Sequence, residues 1–591
     1  MIYARPEGRN PPIASCFKLR GLILFLIVPP FRPNFPTITG LKKIRDKPRS
    51  TISGTLLVPT LRKTQALLVA ITAATLAPFL NKAFHIDDPL FIWMAQQIAK
   101  HPFDPYGFYV NWVSFRQPMT MVMQNPPLCP YYIAAVASLF GWAAPTLHLA
   151  FLFWAATSIL GTFALARRFC RKPLIAALLT LFTPVFLVSA TSTMCDVMML
   201  AFWTWALEFW FAGLDRQKSW RFLVSGALIS AAALTKYFGI SLVPLLAAYT
   251  LARDRRLTAY LAFLLLPVAT LFTYDLVTEG KSGYGLFSAA MSVSSSISSA
   301  TRPSHFVQVL MGLAFSGGCF VGALFFAPFR GRRVLLLAAI SFGAFAAAFK
   351  FLICSWIYLE TADTAVWLEG GFFATTGAGI LALAVINMWH QKSADALLLL
   401  LWIVGTFCFA TFFNWSITAR TFLPMAPAVA ILTIQHFERC RRLSRLEFLP
   451  VLGSAGLSIL IAVADYRQAN CAREAARFYQ KRYGAEASKV QFLGHWGFQY
   501  YMEQWGAKAF DRNNPKVAHG EVVVGPFSDP NVRKVLVEKV FTRDESTFNT
   551  LPFVSTFRVG TGAGFYSSFG GPLPWVINKI RPERYYAVET R

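Results

Sequence analysis

Charge is scarce in this chain, and negative charge most of all. Only 14% of the 591 residues are charged, where a soluble protein carries about a quarter. Asp and Glu number 29 against 56 Lys and Arg, a formal net charge of +27. Few interruptions by charge leave apolar runs of about 17–25 residues, the length that spans hydrocarbon. A soluble globular fold is therefore excluded. Other absences narrow the function. The nine cysteines show neither CxxC nor any metal-ligand spacing; they read as small buried apolar residues, with pairing among the outer-side Cys129, Cys195 and Cys471 left open. No Walker loop follows a strand, so nucleotide phosphates have no cradle of that kind. No aromatic-interleaved basic groove accompanies the positive charge, which excludes a nucleic-acid partner. No repeat of fixed period is present.

The positive charge that is there has a pattern. Arg167-Arg168 with Arg171-Lys172, Arg253 with Arg255-Arg256, Arg330 with Arg332-Arg333, and Arg439 with Arg441-Arg442 and Arg445 fall on alternate connections between apolar runs. That is the positive-inside pattern of a multi-pass protein, here one of the plasma (inner) membrane with the lipid bilayer as a partner. The expected fold is an α-helical polytopic membrane protein with about 13 transmembrane helices between Thr64 and Ala464. An odd count places the C-terminus outside if the N-terminus is inside. The first outer loop, His85–Pro127, is expected to carry an interfacial helix at Leu90–His101. Leu128–Trp142 is expected as a second interfacial or re-entrant helix, and Glu279–His305 as a Ser/Gly-rich outer loop.

Three domains follow. Residues 1–63, basic and Pro-rich, read as a flexible cytoplasmic tail or a misassigned start. Residues 64–464 form the transmembrane domain. Residues 465–591 form a small extracytoplasmic soluble α/β domain, with helices at Gln468–Tyr483 and Phe498–Gln504. Its strands are expected at Val490–Leu493, Glu521–Gly525, Lys539–Thr542 and Phe553–Val559.

Acidic residues are rare enough that their positions carry information. Asp87 and Asp88 lie where the first span, Thr64–Phe84, leaves the membrane, and an acidic pair there is costly unless it is used. The topology places further polar groups on the same side: His85, Asn125, Asp196, Lys236-Tyr237 and Arg420. One carboxylate there could serve as general base, and cationic groups could hold a phosphate leaving group. Asp88-Pro89 also reads as a helix N-cap with Pro at the first helical position. That occupies Asp88 and leaves Asp87 without a structural task. Asp196 could cap its own span, Lys236 could reach back to the interface, and Arg420 could be a flanking anchor.

In this order, the elements resemble the bacterial membrane glycosyltransferases of family 39, which include protein O-mannosyltransferases and the lipid A aminoarabinose transferase. The matching pieces are Asp87-Asp88, Pro126-Pro127-Leu128, Asp196, Leu234-Thr235-Lys236, and Arg420 with Pro424 and Pro427. The resemblance covers roughly residues 64–440, and interfacial helices in the first outer loop look like the GT-C architecture. It implies an inverting transfer of a sugar from a polyprenyl-phosphate donor to a protein, lipid or glycan acceptor at the extracytoplasmic face. Asp87 would be the general base, with Asp88 and Asp196 as its catalytic neighbours. His85, Asn125, Lys236, Tyr237 and Arg420 would bind substrate. Three departures stand out: Asp88 replaces the usual Glu, Asn125 the frequent Lys, and Asp196-Val197-Met198 the Asp-x-Pro. With Asn125 uncharged, Lys236 or Arg420 must supply the phosphate's counter-charge. No cofactor is required; a divalent cation on the acidic pair and Asp196 is left open. The alternative function is a transporter or flippase of lipid-linked sugars. Paired inverted halves with mid-membrane sites, the mark of many transporters, are not visible.

Overall fold

A computed structural model describes residues 54–292, 303–330, 332–354, 363–440, 448–484, 486–514, 517–528 and 540–590. The expectations for 1–53, and for 293–302 in the Ser/Gly-rich loop, lie outside these. The chain divides into two units, Met1–Val58 and Pro59–Arg591. In the first, only the opening residues of helix α1 (Gly54–Leu76) are described.

Among the described residues, seven helices are long and apolar enough to cross a membrane. They become eight if the pair Pro173–Leu181 and Pro184–Ala190, bent by 62°, counts as one span. The other expected spans fall on shorter or interrupted helices. Ser219–Thr235 has 17 residues. His305–Cys319 passes into a 3-10 turn at Val321–Arg330. The run from Ala419 is broken at Leu423–Met425, where Pro424 removes a backbone donor, before Ala426–Cys440 resumes. Helix α2 (Asp88–Lys100) covers the expected Leu90–His101 helix and has eight buried residues. Leu128–Phe140 is a 13-residue helix, as short as its sequence implies.

Helices α3 (Cys195–Arg216) and α4 (Ser219–Thr235) form a hairpin closed at Gln217-Lys218. Gln217 makes the turn in the left-handed region, φ 51°. The hairpin brings the N-terminus of α3 beside the C-terminus of α4. Asp196 lies in the first turn of α3, and Lys236 follows the last residue of α4. Each charge complements the helix end it sits on.

Helix α5 (Leu449–Tyr483) runs 35 residues without a break. It joins the expected last span to the expected Gln468–Tyr483 helix, so no linker separates them. Beyond it, strands β1 (Val490–Phe492), β2 (Lys508–Ala509), β3 (Val522–Pro526), β4 (Val540–Phe548) and β5 (Glu583–Thr590) form one mixed sheet in the order β2-β1-β3-β5-β4. β1 pairs in parallel with β2 and β3; β5 pairs antiparallel with β3 and β4. Helix α6 (Trp496–Trp505) links β1 to β2. A small core formed by Ala475, Tyr479, Val490, Phe492, Phe498, Met502 and Val524 holds α5, α6 and the sheet together. The segment between β4 and β5 behaves differently. Val554, Phe557, Phe565, Leu573 and Trp575 belong to the same large apolar core as the membrane helices. Cys129, Cys195 and Cys471 are buried free thiols.

Candidate active site

The acidic pair sits in a turn that is locked from several sides. Ile86 has φ 49°, a strained conformation for a β-branched residue. Asp88 holds that turn closed. Its carboxylate accepts from the His85 backbone N–H at 2.8 Å, and from the Thr193 N–H and hydroxyl at 2.8 and 3.0 Å. Asp88 is fully buried. The expected capping role is corrected here. Helix α2 begins at Asp88, its cap position is Asp87, and the Asp87 side chain makes no capping bond. Asp88 instead ties the turn to the loop that leads into α3.

Asp87 faces the other way. Its Oδ2 accepts from Arg420 Nη2 at 2.7 Å, and its side chain keeps 30% exposure. Arg420 Nη1 lies 3.5 Å from Asp196 Oδ2, and Lys236 Nζ donates to Asp196 Oδ1 at 2.6 Å. Four residues from four separate elements thus form one row, Asp87–Arg420–Asp196–Lys236. The carboxylate of Asp196 is buried at the N-terminus of α3, a stabilising place for negative charge. Arg420 projects from a one-turn helix, Ala419–Phe422, whose N-cap Thr418 accepts from the Thr421 N–H. Its Nε is buried with no hydrogen-bond partner among the described residues.

The remaining expected residues lie outside this row. His85 is buried and packs edge-on against Tyr566, with ring centroids 5.4 Å apart. Burial lowers its imidazole to about 4, and burial raises the Asp88 carboxyl to about 6. Asn125 and Tyr237 are linked to one another through two tyrosines. The Tyr106 hydroxyl donates to the Asn125 carbonyl at 2.6 Å and meets the Tyr274 hydroxyl at 3.0 Å, and the Tyr274 ring faces Tyr237 at 6.3 Å. No bond joins this tyrosine group to Asp87 among the described residues.

The three acids do not converge on one point. The guanidinium of Arg420 lies between Asp87 and Asp196, and Asp88 is committed to backbone donors. Among the described residues no group of three or more His, Cys, Asp or Glu could hold a metal. A cation shared by all three does not fit this geometry.

Beneath the row lies a second polar group absent from the sequence expectations. Lys82 pairs with Asp465 at 2.5 Å, both fully buried, and also donates to Thr191 at 3.1 Å. Asp465 accepts from Thr556 at 2.7 Å and from the Tyr566 hydroxyl at 3.0 Å. Lys82 is hidden in sequence because it lies inside the apolar run assigned to span one. A lysine within an assigned span was the available signal.

Residues 124–278 match the family model of dolichyl-phosphate-mannose-protein mannosyltransferases. No curated protein sequence matches the chain. Among solved structures, the chain is similar to ArnT from Cupriavidus metallidurans bound to undecaprenyl phosphate. The two share 14% identity over 78% of this chain and 93% of that one, with a TM-score of 0.43. It is also similar to the archaeal oligosaccharyltransferase AglB from Archaeoglobus fulgidus, at 14% identity over 79% and 70% of the two chains and a TM-score of 0.44. The arabinofuranosyltransferase AftD from Mycobacteria shares 11% identity over 74% of this chain and 29% of its own, with a TM-score of 0.35. The match over 124–278 takes in Asn125, Asp196, Lys236 and Tyr237, and the chain is similar over these residues to that family.

Proposed function

We propose that this protein is an inverting glycosyltransferase that moves a sugar from a polyprenyl-phosphate donor to an acceptor at the extracytoplasmic membrane face. The observation that carries this reading is the row Asp87–Arg420–Asp196–Lys236. Two cations stand beside two carboxylates, and one carboxylate remains partly open. A donor phosphate can replace Asp87 as a partner of Arg420, whose Nε also lacks a bond among the described residues. Asp87 is then left to accept a hydrogen bond from the acceptor hydroxyl. The acceptor oxygen attacks the anomeric carbon, the bond from that carbon to the phosphate oxygen breaks, and the polyprenyl phosphate leaves as the anion. The acceptor's proton passes to Asp87. Asp196 keeps Lys236 and Arg420 in place throughout. The family match and the similar structures that hold lipid phosphates agree with such a donor. The 465–591 region lies outside the cytoplasm in this reading.

The test is transfer from labelled polyprenyl-phosphate-sugars by the purified protein. Asp87→Asn should lower turnover by about 10²–10⁴-fold, the usual share of a general base, with donor affinity largely kept. Lys236→Ala should weaken donor affinity. Normal transfer by Asp87→Asn would remove Asp87 from catalysis. Flipping of the lipid-linked sugar without transfer would favour the transporter.

A further inference from the structure

The C-terminal segment between β4 and β5 returns to the active-site row and pairs with the chain on either side of Arg420. The Ala419 N–H donates to the Phe565 carbonyl at 2.8 Å, and the Ser568 N–H donates to the Ile417 carbonyl at 2.9 Å. The Ile417 N–H donates to the Ser568 hydroxyl at 3.3 Å, and the Ser567 and Ser416 hydroxyls meet at 3.2 Å. Tyr566 sits in the middle of this pairing. Its ring centroid lies 5.4 Å from the Arg420 guanidinium carbon and 5.4 Å from the His85 ring. Its hydroxyl is fixed to Asp465, which Lys82 and Thr556 hold in turn. The backbone pairing on both sides of Tyr566 holds its ring in place, and the hydroxyl bond adds to that hold. A guanidinium over an aromatic ring gains a cation–π contact, and more where water is excluded. Arg420 is only 13% exposed.

We infer that Tyr566 is a positioning residue. Its ring holds the Arg420 guanidinium in the plane where it meets Asp87 and Asp196, so the C-terminal region completes the transfer site instead of only adjoining it. The catalytic consequence rests on the proposed glycosyl transfer; the contact itself does not.

The test compares wild type with Tyr566→Leu and Tyr566→Phe in the full-length protein. The first readout is phenylglyoxal modification of Arg420, followed by peptide mass spectrometry. Loss of the ring should speed modification by about 2- to 30-fold, the span of a cation–π contact from exposed to desolvated sites. Tyr566→Phe keeps the ring and should stay near wild type. Tyr566→Met repeats the comparison if the leucine variant is not recovered folded. Equal Arg420 modification in wild type and the ringless variants overturns the proposal. So does a phenylalanine variant as reactive as the leucine one. The second readout is transfer: Tyr566→Leu should raise KM for the labelled polyprenyl-phosphate-sugar and lower kcat, and Tyr566→Phe should restore both. If wild type transfers nothing, the glycosyltransferase reading fails, and the arginine modification still decides the role of Tyr566.

Discussion

His85 and Asp88 occupy one turn and titrate in opposite senses. The folded imidazole is held at about 4, below its ordinary 6.5. The unfolded chain therefore binds the extra proton between those values, and the contribution of neutral His85 is lost as pH falls from about 6.5 to about 4. Asp88 is raised from 3.8 to about 6, so its contribution falls as pH rises through that window. The two nearly offset each other in wild type. Replacing His85 by Phe removes one side of the balance. Relative to wild type, His85→Phe should gain stability steadily as pH drops from about 6.5 to about 4, read from melting midpoints in detergent. Parallel pH profiles would show that His85 is not held neutral. At this scale much of the site was legible. Asp87, Asp196, Lys236 and Arg420 could be named because charge is rare near apolar runs. The inward turn of Asp88 was not legible, since its partners at Thr193 lie 105 residues away.

At the scale of elements, the turn that carries Asp87 is held by helices from the far end of the chain. Lys82 pairs with Asp465 of α5, the Ala83 N–H donates to Asn470 at 3.0 Å, and the Phe84 N–H donates to the Tyr501 hydroxyl of α6 at 3.0 Å. Gly497 lets α6 approach so closely that a Cβ there would lie 2.1 Å from the Phe84 carbonyl oxygen. These contacts offset the backbone strain at Ile86. The buried pair is the strongest of them to break. Lys82→Met should cost about 3–5 kcal/mol, because it leaves Asp465 buried without its counter-ion. The double variant Lys82→Met/Asp465→Leu should recover most of that loss. Denaturation of the purified variants decides it, and a double variant no more stable than the single one would show that the charge is not the cause. Periodicity and Pro positions made α2, α3, α4, α6 and the strands β1, β3 and the start of β4 readable; the two-residue β2 was missed, and the expected Phe553–Val559 strand is two short pairs outside this sheet. β5 escaped because its Glu583–Thr590 sequence has no clear alternation, although it lies between β3 and β4 in the sheet.

At the scale of the whole molecule, every proposed role depends on one orientation of the bundle. Asp465 is fully buried and cannot report it. Glu486, between α5 and β1, has a 62% exposed side chain and can. Glu486→Cys should react with a membrane-impermeant maleimide from outside intact cells, and labelling only after lysis would reverse the topology. The hairpin of α3 and α4 fits this orientation. Its Arg216–Lys218 turn carries the positive charge of an inner loop, and its other end carries Asp196 and Lys236.

Sequence by itself determined the class of protein and the identity of the charged residues in the row Asp87–Arg420–Asp196–Lys236. Hydropathy and charge act locally, so a run of apolar residues or an isolated acid is visible wherever it occurs. Tertiary structure alone decided which of the two adjacent aspartates faces Arg420, that Lys82 and Asp465 neutralise one another, and that Tyr566 lies under the guanidinium. Those are contacts between residues more than a hundred positions apart. Their energies depend on distance and on exclusion of water, neither of which is written in the order of residues.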